Sequence, residues 1–224
     1  MVGTVLKRSV VSCQTNVDRV CAYFREVMPD PISELHYRTP YELLLAVVLS
    51  AQCTDVRVNM LTPALFARFP NPQALSRASW EDILPYIASC SYPNAKAKYL
   101  EGIGKRLVSD FGGEVPAERS LLESLPGVGH KSASVVLSIS FGVPALAVDT
   151  HVHRVAARLG LTEGARTPED TEKQLTSRIP REDWSRAHHW LILHGRYVCV
   201  ARKPKCTTCP FDNWCPKVGL NLKG

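Results

Sequence analysis

Residues 125–159 read LPGVGHKSASVVLSISFGVPALAVDTHVHRVAARL, and the rest of the chain is organised around them. Pro126-Gly127-Val128-Gly129 carries two glycines that tolerate positive φ, and Ala133, Val136, Leu137 and Phe141 then recur at helical spacing. Leu121, Leu122 and Leu125 complete a short helix before the glycines, so the unit reads helix, hairpin, helix. The backbone N–H groups from Gly127 to His130 stand at the positive end of the second helix, a suitable cradle for one phosphate. Lys131 falls in the first turn of that helix, and Asp149 takes the N-cap slot before Thr150-His151-Val152. Residue chemistry alone leaves a plain reading open, in which Lys131 is a solvated phosphate-binding lysine and Asp149 only a cap.

The 224 residues are 45% hydrophobic, enough apolar surface for a substantial core in one large domain or two small ones. Lys and Arg outnumber Asp and Glu by 27 to 21, an excess that favours a polyanionic partner. The opening MVGTVLKRSVVSCQT lacks the long apolar core of a secretion signal, and the longest apolar run, 43–49, is too short to span a bilayer. The expected location is therefore cytoplasmic or nucleoid-associated. Eight cysteines in such a compartment point to metal or free thiols before disulfides.

Along the chain, Val17, Val20, Cys21, Phe24, Val27 and Met28 predict an amphipathic helix after an Asn16 cap. Thr39-Pro40 caps a second helix over 41–50 that is apolar almost all round and hence central. Residues 54–69 read as helical with a break at Thr62-Pro63, residues 80–88 as a short helix, and 95–111 as a helix capped by Asn94 and stopped by Gly112-Gly113. Residues 167–179 and 183–197 give two more helices. His188, His189 and His194 invite a metal reading, but adjacent histidines project about 100° apart on a helix, so they are taken as structural.

Near the end, Cys199, Cys206, Cys209 and Cys215 have the spacing C-x6-C-x2-C-x5-C. Four converging thiolates suit a 4Fe-4S cluster or a tetrahedral zinc. Arg202, Lys203 and Lys205 lie on a loop pinned by Cys199 and Cys206, a candidate phosphate clamp or simply a solvated charge run. Cys13, Cys21, Cys53 and Cys90 are scattered and read as ordinary thiols.

LPGVGHKSASVVL followed by VDTHVHRVAARLG, HHWLILHGRYVC and the four-cysteine spacing resemble the endonuclease III branch of the helix-hairpin-helix DNA glycosylases, over about residues 17–215. The resemblance implies an all-α fold of two lobes: a six-helix lobe at 30–146, and a cluster lobe built from 1–29 and 147–224, with the active-site groove between them. It implies a bifunctional glycosylase and abasic-site lyase acting on double-stranded DNA as a monomer, with oxidised pyrimidines as substrates and a 4Fe-4S cluster on the four cysteines. Lys131 then matches the lyase nucleophile and Asp149 the catalytic aspartate. An ordinary amine is almost wholly protonated at pH 7, which costs a nucleophilic lysine about 4–5 kcal/mol, so a helix N-terminus and burial against a flipped nucleotide are expected to favour its neutral form.

Gln52, in the Ser50–Asp55 loop, matches the residue that fills the gap left by the extruded base, where its amide can replace lost hydrogen bonds. Tyr92 stands where relatives commonly place an apolar wedge, and His130 where many bacterial relatives carry arginine. Two rival readings are an adenine-mismatch glycosylase of the same superfamily and a non-catalytic DNA-binding or redox-sensing protein. Lys131 argues against the first, as do the nine residues after Cys215, which leave no room for that branch's extra recognition domain. The second needs neither Lys131 nor Asp149.

Overall fold

In a computed structural model of the chain, whose described residues are 13–220, every regular element is helical and no strand occurs among those residues. The all-α class read from the sequence is the class observed. Contacts divide the chain into two compact units, Ile32–Ala147 and the described parts of Met1–Pro31 with Val148–Gly224.

The first helix, α1 (Cys13–Val27), belongs to the discontinuous unit. It begins before Asn16, which is therefore not a cap: its buried amide donates to the carbonyl oxygen of Leu159 at 3.1 Å, tying the N-terminal helix to chain some 140 residues away. Farther along, Arg25 Nε donates to Asp183 Oδ2 at 3.0 Å, and Arg186 pairs with Asp183 Oδ1 at 2.7 Å, so this fully buried carboxylate is neutralised by two guanidinium groups.

The unit Ile32–Ala147 is built round α2 (Pro40–Ser50), in which every residue from Tyr41 to Leu49 is buried. Thr39 caps it, accepting from Glu42 N at 3.2 Å, as the Thr-Pro pair predicts. Around it stand α3 (Asp55–Arg68), α4 (Pro72–Ser76), α5 (Trp80–Ile87), α6 (Pro93–Phe111), α7 (Arg119–Glu123) and α8 (His130–Phe141). These are seven helical segments among the described residues, against the six expected, because the five-residue α4 is too short to show a period.

Two further details differ from the sequence reading. Helix α3 runs through Pro63 without a break. Helix α6 starts at Pro93, and its cap is Tyr92 in the left-handed region, φ 55° and ψ 50°, so Asn94 lies inside the first turn.

In the other unit, α9 (Thr150–Arg158), α10 (Pro168–Thr176) and α11 (Trp184–Tyr197) pack with α1. Phe24 stacks on Trp190 with ring centroids 5.7 Å apart, and Trp190 Nε1 donates to the Met28 carbonyl at 2.7 Å. Phe211, from the cysteine-bearing tail, closes this aromatic core edge-on to Tyr23 and Phe24 at 5.1 and 5.6 Å. No helix among the described residues is long and apolar enough to cross a membrane.

Candidate functional site

The hairpin between α7 and α8 is set by one left-handed residue. Gly127 has φ +73°, and a Cβ added there would meet the Tyr99 ring at 2.5 Å, so both conformation and space demand glycine. Gly129 does not share this requirement. Its φ of −96° with ψ 179° is extended, and a Cβ there would point into open space; it serves as the N-cap of α8. Val128 N donates to the Leu125 carbonyl at 3.1 Å to close the turn, while Leu122, Leu125 and Val128 sit in the core beneath it. Helix α6 braces the hairpin from behind: Pro126 packs on Gly102, and Arg106 donates to the Ser124 carbonyl.

His130 and Lys131 are the first two residues of α8, both exposed. His130 Nδ1 lies 3.2 Å from Glu123 Oε1, and Arg119 donates to Ser134 Oγ at 2.8 Å while standing 3.6 Å from Glu123. This small network ties α7 to α8 across the hairpin, so the helix bearing Lys131 is held at its mouth.

Asp149 is the N-cap of α9: Oδ1 accepts from His151 N and Val152 N, each at 2.8 Å. Two donors on one oxygen fix the carboxylate plane, and the side chain remains half-exposed. Lys131 and Asp149 belong to different units, and each stands at a helix N-terminus.

The loop between α2 and α3 brings Gln52 to the surface at φ +54°, and the loop before α6 does the same for Tyr92, 65% exposed at φ +55°. These two residues were singled out separately in the sequence, and the fold places their loops side by side: Ser91 Oγ donates to the Gln52 carbonyl at 2.7 Å. Behind both loops lies Lys96, only 4% exposed, whose ammonium donates to the Leu49 and Ala51 carbonyls at 2.7 Å each. A buried cation here satisfies carbonyls at the C-terminal end of α2 and complements its dipole. The sequence reading did not identify Lys96, because its partners lie more than 40 residues away.

In the other unit, Cys199, Cys206, Cys209 and Cys215 all line one small cavity of about 20 Å³, together with Arg158, His194 and Lys217. Among the described residues no group of three or more His, Cys, Asp or Glu converges as a ligand set for a single ion. The four thiols instead surround a volume. Burial pushes the Cys215 thiol up to about 11 and the Cys209 thiol upward too, with the neighbouring cysteines adding to both. Thiolates gathered this closely need a cationic group among them, and the donor set fits a soft-metal cluster.

Cys21 lies apart from this group: burial drives it up to about 11, as for an ordinary core thiol. His194 is buried with its pKa pushed down to about 4 by desolvation, and His188 is buried as well, in keeping with their structural reading.

Two arginines of α9, which the sequence reading passed over, join the Asp149 helix to the cysteine loop. Arg154 donates to the Gly195 and Cys199 carbonyls at 2.9 and 3.3 Å. Arg158, nearly buried, donates to Val200 and Ala201 at 2.8 and 3.0 Å and more weakly to Cys199 at 3.4 Å. Their i, i+4 spacing in HRVAARL was the available signal. The tail is thereby bonded to the helix that Asp149 caps. Arg202, Lys203 and Lys205 are all exposed on this loop, with Lys203 at φ +52°.

The family of HhH-GPD superfamily base excision DNA repair proteins matches residues 45–181. The endonuclease III of Rickettsia conorii is 45% identical over 207 residues, covering 92% of this chain and 98% of that protein. That of Escherichia coli is 44% identical over 191 residues, 85% of this chain and 90% of that one. A solved structure of an endonuclease III trapped as a covalent intermediate with DNA superimposes with a TM-score of 0.86 at 41% identity, covering 91% of this chain and 96% of its own.

Proposed function

This chain belongs to the endonuclease III family of the HhH-GPD superfamily, and on that premise we propose that it is a bifunctional DNA glycosylase and abasic-site lyase that removes oxidised pyrimidines from duplex DNA. The observation that carries the reading is Lys131, exposed at the second position of α8 immediately after the left-handed Gly127 hairpin.

Chemistry at C1′ and reading of the base are blocked inside a stacked duplex, so the damaged nucleotide is extruded. The hairpin N–H groups of Gly127, Gly129 and His130 hold one backbone phosphate, Val128 N being engaged by the Leu125 carbonyl, and the exposed Arg202, Lys203 and Lys205 hold another stretch of backbone; these contacts position and read no sequence. Gln52 enters the gap and replaces the lost base's hydrogen bonds, while Tyr92 wedges the opposite strand. The Lys131 amine attacks C1′ and the base departs with the bonding electrons, leaving lysine joined to the sugar. Ring opening gives the Schiff base, and loss of a C2′ proton expels the 3′ phosphate, which nicks the strand. Asp149 stabilises positive charge developing on the sugar and handles protons.

Cys199, Cys206, Cys209 and Cys215 would hold a 4Fe-4S cluster. When bound, it would brace the tail around the cavity and so steady the contacts that Arg154 and Arg158 of α9 make to it; no step of the reaction is assigned to it. A protein with these tasks is expected to act as a monomer in the cytoplasm, on the nucleoid. The test is a strand-cleavage assay on a duplex bearing one oxidised pyrimidine. Release of the base with a nick 3′ to the lesion supports the reading, and tight binding without either product refutes it.

A further inference from the structure

Behind the Gln52 and Tyr92 loops lies a cluster of reactive side chains that the reaction above does not use. Cys90 is 5% exposed; its thiol donates to the Leu49 carbonyl at 3.4 Å and accepts from Lys96 Nζ at 3.3 Å. Cys53 is half-buried and lies near enough to Cys90 to act on its thiol electrostatically. The backbone agrees with that proximity, since Ser91 is bonded to Gln52 and each of these residues adjoins one of the two cysteines. Two thiols and a buried ammonium thus meet where the two surface loops are joined at their base.

We propose that Cys53 and Cys90 are a peroxide-responsive thiol pair, a modification site whose closure to a disulfide ties the Gln52 loop to the Tyr92 loop. The division of labour follows from exposure. Cys53 is the thiol that solvent can reach, so it meets the oxidant; Cys90 is enclosed and resolves. Hydrogen peroxide transfers one oxygen to the Cys53 sulfur, giving a sulfenic acid and one water. The Cys90 sulfur then attacks the Cys53 sulfur, the S–O bond breaks, and the departing hydroxide leaves with the Cys90 proton as a second water. Two thiols lose two electrons in all, and peroxide gains them.

Burial holds the Cys90 thiol in its protonated form at rest, with Lys96 working in the opposite sense. The ammonium beside the sulfur therefore has a definite use, to stabilise the thiolate as it forms during attack. A thiol pair of this kind suits a reducing compartment, where disulfides are transient and redox-sensing.

Closure must also move the loops. A disulfide needs its sulfur atoms at about 2.05 Å, well inside the contact distance of two unbonded sulfurs, so closure draws the two thiols together. Both loops hold a non-glycine residue in the left-handed region, so neither has slack to absorb the shift locally. The consequence for DNA rests on the wedge roles proposed for Gln52 and Tyr92. Misplacement by about 1 Å can cost on the order of a hundredfold in rate, so excision by the closed form is expected to fall at least tenfold.

The test uses the full-length protein, treated with hydrogen peroxide and mapped with trypsin by mass spectrometry without reduction. Cleavage places Cys53 alone in peptide 39–57 and Cys90 alone in peptide 78–96. The expected product is these two peptides joined with the loss of two hydrogens, separated again by dithiothreitol and absent from Cys53→Ser and Cys90→Ser proteins. Overoxidation of Cys53 with no crosslink overturns the proposal, as does a bridge from Cys90 to Lys96 carrying one added oxygen. Excision assays on the same samples separate the pair from its consequence. A crosslink that leaves excision unchanged refutes the coupling to the loops, whereas loss of excision in the Cys→Ser proteins as well places the damage elsewhere.

Discussion

Replacing Arg158 by methionine tests how the cysteine tail is joined to the helix that carries Asp149. The guanidinium makes two short bonds, to the Val200 and Ala201 carbonyls at 2.8 and 3.0 Å, and a weaker one to Cys199 at 3.4 Å. Hydrogen bonds from a charged donor contribute about 1.5–3 kcal/mol each, so the two short ones represent about 3–6 kcal/mol before compensation. Two effects reduce this: methionine no longer has a charge to desolvate, and the carbonyl of the exposed Ala201 can rehydrate. A net loss of about 2–3 kcal/mol remains, which for a chain of this length lowers the melting temperature by about 5–10 °C. Arg158→Lys should recover less than half of that, because an ammonium cannot reproduce the planar fork that spans adjacent carbonyls. Thermal unfolding followed by circular dichroism measures both variants. A shift below about 2 °C for Arg158→Met, or full recovery with lysine, would refute the bracing role.

The hairpin glycines should separate sharply: Gly127→Ala, forced to φ +73° with its Cβ 2.5 Å from the Tyr99 ring, should destabilise by more than about 2 kcal/mol in urea unfolding, while Gly129→Ala, extended and facing open space, should cost no more than about 1 kcal/mol. Asp149→Asn keeps a capping oxygen and should leave stability within about 0.5 kcal/mol of native, yet lower base release on the order of a hundredfold; equal loss of stability and activity would mean that Asp149 is only a cap. Burial, aided by Arg196, pushes His189 below its ordinary pKa, so the unfolded chain binds the proton more readily. Its contribution to stability is complete above about pH 6.5 and is lost as pH falls below that value; His189→Gln should flatten this part of the profile in melts between pH 7.5 and 5.5.

The longer elements were legible in the sequence: α6 shows an apolar period because one face is buried, α2 is apolar almost all round because nearly all of it is buried, and both fall within a residue or two of the ranges read for them. Local chemistry also carried through, as at Thr39 and Asp149, whose side chains bond backbone only two or three residues away. Sequence reasoning erred where tertiary contacts override a local rule. Asn16 looks like a cap and is instead a buried amide bonded to Leu159; Asn94 yields the cap to Tyr92 because Pro93 already fixes the first helical turn. Pro63 stays within α3, where buried Thr62 and Leu65 hold the helix in the core.

Two features of the site had little or no local signature. Lys96 and Arg158 act through carbonyls more than 40 residues distant, and nothing about a lysine or arginine in a helical pattern announces that its charge is turned inward. The adjacency of the Gln52 and Tyr92 loops is likewise a product of packing: α2 and α6 are brought together by a cation whose partners only the fold reveals.

Borohydride trapping on duplex DNA bearing a single oxidised pyrimidine, comparing native protein with Lys131→Ala, decides whether this one amine forms the Schiff base. A covalent protein–DNA adduct is expected with the native chain and none with the variant, whose melting temperature should remain close to native because Lys131 is exposed at the helix mouth. An adduct of undiminished yield from Lys131→Ala, or base release by the native protein with no trapped adduct, would contradict it.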